Sequence, residues 1–269
     1  MRTEPPEQPV APGPWAGALA VGFAVLSWAF GTSGLVFIAL FLVNATPLLS
    51  IDGLSSAGGS NLRSVPEALA INTLLFALWG LQHIGMARHG FKAALARVLP
   101  ESLERSNYVL FTGLAAALLV FGWSPMPEVI WQIQHPAAAA ALWALCASGW
   151  IFALSGILYD SYFEFNGLKQ ALAYARGRPF ERAGFKTGFV FRLCRRPTFF
   201  GILLGCWATP LMTQGHLFFA LAMTLFTLIG AYFVEQTYIR YYGDAYRREQ
   251  ESKPLLIPNP LLLVRGSDR

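Results

Sequence analysis

The sequence predicts an all-α, polytopic membrane helix bundle of about six transmembrane helices, with helices five and six forming a tight hairpin. Three observations carry this. Of 269 residues, 55% are hydrophobic and 13% charged, and the mean hydropathy is +0.46. A soluble domain carries roughly 25% charge. Apolar runs near the roughly 20 residues that a bilayer-crossing helix needs recur six times along the chain. The basic residues are also sorted: 19 of the 20 Lys and Arg fall in one alternating set of connections and only Arg63 in the other. This composition excludes a disordered chain and argues against a soluble enzyme.

The elements follow in order. Residues 1–15 read as a tail. Ala16 to Val43 is the first span, with no charge over 28 residues. It is too long for the apolar stretch of a signal peptide, and one Arg and two Glu precede it. Residues 44–67 form an external loop rich in Ser and Gly (Ser55, Ser56, Gly58, Gly59, Ser60), expected to be irregular and mobile. The second span is Ala68 to Ala87, the third Tyr108 to Trp123 and the fourth Pro136 to Leu158. Residues 159–197 form the largest cytoplasmic connection. Within it, Gly167 to Arg176 has the pattern of a short interfacial helix, with Leu168, Ala171, Leu172 and Ala175 on one face. Thr198 to Thr213 is a short fifth span. Gln214 and Gly215 separate it from the sixth, His216 to Val234. That helix is expected to continue through Glu235, Arg240 and Tyr246 until Pro254, Pro258 and Pro260 stop it. The domain organisation expected is a tail at 1–15, a transmembrane domain at 16–235 and a cytoplasmic tail at 236–269. No strand pattern is visible.

The charge sorting follows the positive-inside rule and places both termini in the cytoplasm, for a protein expected in a bacterial inner membrane. It also explains the basic pI without nucleic acid as a partner; the partner implied is the lipid bilayer. Cys146, Cys194 and Cys206 have no disulfide or metal spacing and read as small buried apolar residues. His83, His89, His135 and His216 are scattered, so no metal site is expected.

Polar groups in membrane helices are functional candidates by default. Three clusters stand out, all on the cytoplasmic side by topology. They are Gln82-His83 through Arg88, Arg195-Arg196-Pro197 through Gly201, and Glu235-Gln236 with Arg240, Tyr241, Asp244 and Tyr246. Each has a plain structural reading beside the functional one. His83 can bond a neighbouring helix, the arginines can be retention charges, and Glu235 can pair with them. Pro197 suits a first helical turn, whose N–H groups with two arginines favour an anion. Glu235 suits the cationic or hydroxyl part of the same ligand. Gly201 and Gly205 form a G-x-x-x-G pair that reads as helix packing, or as room for a ligand.

At these residues the chain resembles the bacterial membrane methanethiol S-methyltransferases, which belong with isoprenylcysteine carboxyl methyltransferase-like and NnrU-like membrane proteins. The matching stretches are Leu81-Gln82-His83 with Met86-Ala87-Arg88, Glu104-Arg105-Ser106 with Tyr108-Val109-Leu110, Phe165 to Gln170, Trp207 to Leu217, and Pro254-Leu255-Leu256-Ile257-Pro258. They cover roughly Asn72 to Pro258, and the Trp207–Leu217 run is the most specific. The resemblance implies a membrane enzyme that uses S-adenosyl-L-methionine to methylate a small thiol, methanethiol, giving dimethyl sulfide. The superfamily's Arg-His-Pro-x-Tyr-x-Gly motif falls on Arg195 to Gly201, and its Glu-Glu pair on Val234-Glu235. Arg196, Phe199 and Val234 depart from it.

The site so implied has Arg195, Arg196, Pro197, Phe199, Gly201, Glu235 and Tyr246 around the cofactor, and His83, Arg88 and Glu235 in catalytic roles. His83, Arg88 and Arg196 are the candidates for favouring a thiolate. The three departures favour a second reading, a non-catalytic membrane protein, subunit or response protein, on the same scaffold. A third, a membrane reductase, needs a nicotinamide-phosphate site, and no separate one is visible.

Overall fold

The long uncharged runs fold as helices because they hold helix-forming apolar residues and leave proline at their ends. In the computed structural model, which describes residues 12–53, 63–159, 162–181 and 184–264, the order is α1 (Pro14–Leu42), α2 (Val65–Met86), α3 (His89–Leu95), α4 (Glu104–Phe121), β1 (Val129–Gln132), α5 (Pro136–Tyr159), α6 (Tyr162–Phe165), α7 (Leu168–Ala175), α8 (Pro197–Trp207), β2 (Leu211–Thr213), α9 (Gln214–Tyr242), α10 (Asp244–Ser252) and α11 (Leu261–Val264). Four of them, α1, α2, α5 and α9, are long and apolar enough to cross a membrane. The chain is a helical membrane protein.

The fifth span differs from expectation. Thr198–Thr213 is helical only as far as Trp207, because Pro210 lacks an N–H and biases Thr209 away from helix. The 11 residues of α8 reach about 16 Å, against a bilayer core of about 30 Å. The rest of the run is extended. β2 pairs antiparallel with β1, Thr213 opposite Val129 and Leu211 opposite Gln132. Ile133 N–H donates to Pro210 O (2.8 Å), Gln214 N–H to Glu128 O (2.8 Å) and Gly215 N–H to Met126 O (3.0 Å). These bonds satisfy backbone that an early helix stop leaves open. Strands of four and three residues are too short for alternation to mark them in sequence.

The second difference is at the end of α9. Instead of one helix through Tyr246, α9 stops at Tyr242 and α10 begins at Asp244. Gly243 between them takes φ 53°, a left-handed conformation that suits glycine.

The chain divides into two compact units. The first comprises Met1–Phe37, Ala77–Leu119 and Ser161–Gly184. Here α1 and α4 approach closely through glycines: a Cβ on Gly34 would lie 3.2 Å from Gly113 Cα, and one on Gly113 would fall against the Phe30 carbonyl. The apolar face of α7 is covered by protein: Ala171 is buried with Ala20, Ala24 and Leu103, and Ala175 sits opposite Gly17. Tyr162 OH accepts from Trp28 Nε1 at 2.7 Å and lies 3.0 Å from Thr32 Oγ1.

The second unit comprises Ile38–Phe76, Val120–Asp160 and Phe185–Arg269. Its tightest packing joins α5 to α8. A Cβ on Gly149 would meet the backbone of Gly201 and Gly205, and one on Gly201 the backbone of Ala153. The Gly201/Gly205 pair is thus a packing surface. Phe41, Phe76 and Trp123 surround Phe219 edge-on at 5.6–6.2 Å. The Asn72 side chain is fully buried and exchanges two bonds with the backbone of Ser124, at 2.8 and 2.9 Å. The start of the loop after α1 is tied down. Asp52 accepts from Asn44 Nδ2 and from the Thr213 hydroxyl, both at 2.6 Å, and Ser50 donates to Asn44 Oδ1 at 2.7 Å. The Ser55–Ser60 stretch expected to be mobile lies outside the described residues, as do residues 1–11 of the expected tail.

Candidate functional site

Residues 193–196 lead into α8 through a turn and a bend, and Pro197 at the first helical position fixes the start of the helix. A strap from the C-terminal segment holds them. Arg195 N–H donates to Pro254 O and Arg196 N–H to Leu255 O, both at 3.0 Å, and Asn259 N–H returns a bond to Leu193 O at 2.9 Å. The backbone ahead of α8 is therefore fixed before any side chain is counted. The first turn of α8 faces α5, with Thr198 N 3.2 Å from where a Cβ on Gly156 would lie.

This placement points both arginines at one carboxylate. Glu235, on the last turns of α9, is 7% exposed and Arg196 8%. Glu235 Oε1 accepts from Arg196 Nε at 3.0 Å and from the Tyr246 hydroxyl at 2.5 Å, and Arg196 Nη2 forms an ion-pair contact with it at 2.9 Å. Oε2 accepts from Arg195 Nη1 and from Gln250 Nε2, the latter at 2.9 Å. Arg196 Nη2 also donates to Tyr246 OH at 2.7 Å. Its guanidinium lies 4.3 Å over the Tyr238 ring and 5.8 Å from that of Tyr246, a cation–π clamp. Burial by itself would lower the pKa of Arg196; Tyr246, Tyr238 and Glu235 outweigh it and raise it. Burial likewise raises Tyr246 and pushes the neighbouring Cys194 thiol up to about 11.

Beside this cluster is a shallow cleft of about 290 Å³ including the solvent at its mouth, lined by Phe185, Lys186, Phe191, Arg195, Tyr238, Tyr246 and Glu249. The space protein encloses there is that of a single water molecule. Arg195 Nε is buried with no hydrogen-bond partner among the described residues. Of the two arginines, Arg195 lines the aromatic-walled cleft and keeps one buried donor without a partner, and Arg196 directs its Nε and Nη2 donors to Glu235 and Tyr246.

The structure brings together Arg195, Arg196, Pro197, Glu235 and Tyr246. Phe199 is half-buried on α8, and Gly201 faces α5. His83 and Arg88 belong to the first unit. His83 stacks on Trp79 (4.5 Å) and meets the edge of Tyr108 (5.8 Å), with Nδ1 3.3 Å from Trp79 O. Arg88 is exposed at the start of α3. Sequence reasoning missed Tyr238, Gln250 and the strap. Tyr238 lies three residues beyond Glu235, so helical spacing alone could have placed it on the same face. Among the described residues no His, Cys, Asp and Glu cluster could hold a metal.

The sequence is 38% identical over 196 residues to a methanethiol S-methyltransferase of Mycobacterium tuberculosis, covering 73% of this chain and 80% of that protein. It is 34% identical over 250 residues to methanethiol S-methyltransferase 2 of Bradyrhizobium diazoefficiens, covering 92% and 93%. Nurim of Sus scrofa is 30% identical over 239 residues, covering 82% and 88%. No family model matches the chain, and no solved structure does. At this identity and coverage, the chain belongs to the methanethiol S-methyltransferase family.

Proposed function

We propose that the protein methylates methanethiol with S-adenosyl-L-methionine, releasing dimethyl sulfide, at the cytoplasmic face of a bacterial inner membrane. Family membership supports the reaction. The charge sorting of the loops supports the orientation, with both termini cytoplasmic. The observation that carries the site is the buried Arg195–Arg196–Glu235–Tyr246 cluster beside an aromatic cleft. It lies at the residues where the sequence resemblance puts the methyl donor.

The residues fit such a donor by chemistry. The spare Nε of Arg195 suits its carboxylate. Glu235 suits its ammonium or hydroxyl groups. Phe185, Phe191 and Tyr238 suit its apolar parts. When bound, the donor supplies an electrophilic methyl on a sulfonium, so the protein's part is to position the partners and exclude water. The thiol reacts as its thiolate. Of the three residues named for favouring that form, Arg196 is committed to Glu235 and Tyr246, and His83 and Arg88 belong to the first unit. Glu235 serves as an anchor rather than a base, since four hydrogen bonds and the ion pairs of two arginines already occupy its two oxygens.

That saturation also favours the second reading, a non-catalytic protein on the same scaffold, since the closed cluster is self-sufficient without a ligand. Cells expressing the chain and fed methanethiol separate the two. The methyltransferase releases dimethyl sulfide into the headspace, and Glu235→Ala abolishes it. Wild-type cells that release no more than empty-vector cells favour the second reading.

A further inference from the structure

We propose that α10 is a hinged lid over Glu235, pivoting at Gly243 and at Lys253, and that the methyl donor reaches the site when Tyr246 and Gln250 let go of the carboxylate. This rests on the donor reading above. Ligand sites of small molecules take roughly 300–1,000 Å³, whereas the enclosed space beside Arg195 is that of one water. Something must move, and α10 is the element built to do so.

Its hold on the rest of the unit is concentrated at a few points. Tyr246 is its one buried residue, packed edge-on against Phe185 (5.5 Å) and Tyr238 (5.1 Å) and bonded to Arg196 and Glu235, while Asp244 and Arg247 are well exposed. Gln250 adds a bond to Glu235, and Lys253 at its end adds one to Thr187 O at 3.3 Å. An element held at so few points opens as a unit when those points release. Both of its ends are suited to pivoting. Gly243 has a left-handed φ of 53° and open space where a Cβ would lie. Lys253 is extended (φ −134°, ψ 140°) and precedes a proline. Beyond Lys253 the strap stays fastened, through Pro254 O and Leu255 O, to the backbone of Arg195 and Arg196. The lid therefore moves between two fixed points, and its closed position is set by the same arginines that face the ligand.

The latch is chemical as well as steric. Tyr246 and Gln250 supply two of the four hydrogen bonds to Glu235. Swinging α10 away frees lone pairs on the carboxylate while Arg195 and Arg196 continue to hold it. The donor's own N–H and O–H groups then replace those of Tyr246 and Gln250, so one exchange of hydrogen bonds couples binding to opening.

The test pins the lid. Lys186→Cys with Glu249→Cys puts one thiol on each side of the cleft, and a short bis-maleimide bridges them in the full-length, detergent-purified protein. Cys146, Cys194 and Cys206 are all buried and do not compete. Adenosylhomocysteine is the probe. Its association should slow at least roughly tenfold in the bridged protein relative to the same double variant left unbridged. In a second arm, Tyr246→Phe removes a charge-assisted latch bond, and association should quicken by roughly tenfold or more. Unchanged association in the bridged protein, or unchanged or slower association in Tyr246→Phe, overturns the lid while leaving the donor reading intact. A wild type that binds no adenosylhomocysteine overturns the donor reading and the lid together.

Discussion

Replacing Glu235 by alanine should be among the most destabilising single changes in the second unit, and its size follows from what is left behind. Glu235 is buried between two guanidinium groups, with Arg196 itself buried and stacked on Tyr238. Removing the carboxylate strands two positive charges side by side, one of them in a nearly dry setting. Breaking a buried pair by deleting one partner costs about 3–5 kcal/mol, mostly the penalty of the uncompensated charge. Tyr246 and Gln250 lose their acceptor too, but these losses overlap with the first and do not add to it in full. Asp244→Ala provides the comparison. Its 3.7 Å pair with Arg247 is exposed at both ends, and such pairs are worth about 0–1 kcal/mol. Denaturant titration of both variants in detergent, followed by tryptophan fluorescence, should separate them by several-fold in destabilisation. A loss in Glu235→Ala no greater than in Asp244→Ala would refute the reasoning.

Other predictions rest on separate observations. Arg195→Ala should weaken adenosylhomocysteine binding by about 1.5–3 kcal/mol, the worth of a charge-assisted bond, and Arg196→Ala by less; calorimetry giving the reverse order contradicts the division between them. Arg196→His, which restores the residue of the wider superfamily, should retain donor binding. Gly201→Ala drives a Cβ into the Ala153 backbone on α5 and should cost about 1–3 kcal/mol as overpacking, with a lower midpoint in thermal scans. Cys194 has its thiol raised by burial from 9.0 to about 11. The unfolded thiol ionises first, so its contribution to stability is complete below about pH 9 and is lost as pH rises to about 11. Cys194→Ala should flatten that alkaline decline, and the native thiol should resist alkylation at neutral pH.

Most of the helical plan was legible because bilayer spans leave a plain mark: α1, α2, α5 and α9 are long, uncharged or nearly so, and separated by sorted basic loops. Close helix packing through Gly201 and Gly205 was legible too, from small residues spaced by four in an apolar helix, but that α5 is the partner was not. Where the reading failed, the signal was short or tertiary. Pro210 marks the end of α8, but β2 takes its form from pairing with β1, a partner about eighty residues away. The break at Gly243 is a single glycine inside an otherwise continuous polar helix pattern. For the site, topology alone placed Arg195, Arg196, Glu235 and Tyr246 on one side of the membrane, and the structure joins them in one hydrogen-bonded cluster. The unequal parts of the two arginines were not legible. Adjacent residues of one type look alike in sequence, and only the Tyr238 face and the spare Nε tell them apart.

The most direct test of the central claim follows the methyl group. Purified protein is supplied with S-adenosylmethionine carrying a deuterated methyl and with methanethiol, and the headspace is read by mass spectrometry. The account predicts dimethyl sulfide bearing one deuterated methyl, formed at a rate that scales with protein and is lost in Glu235→Ala. Folded wild-type protein that leaves the label on the donor would contradict it.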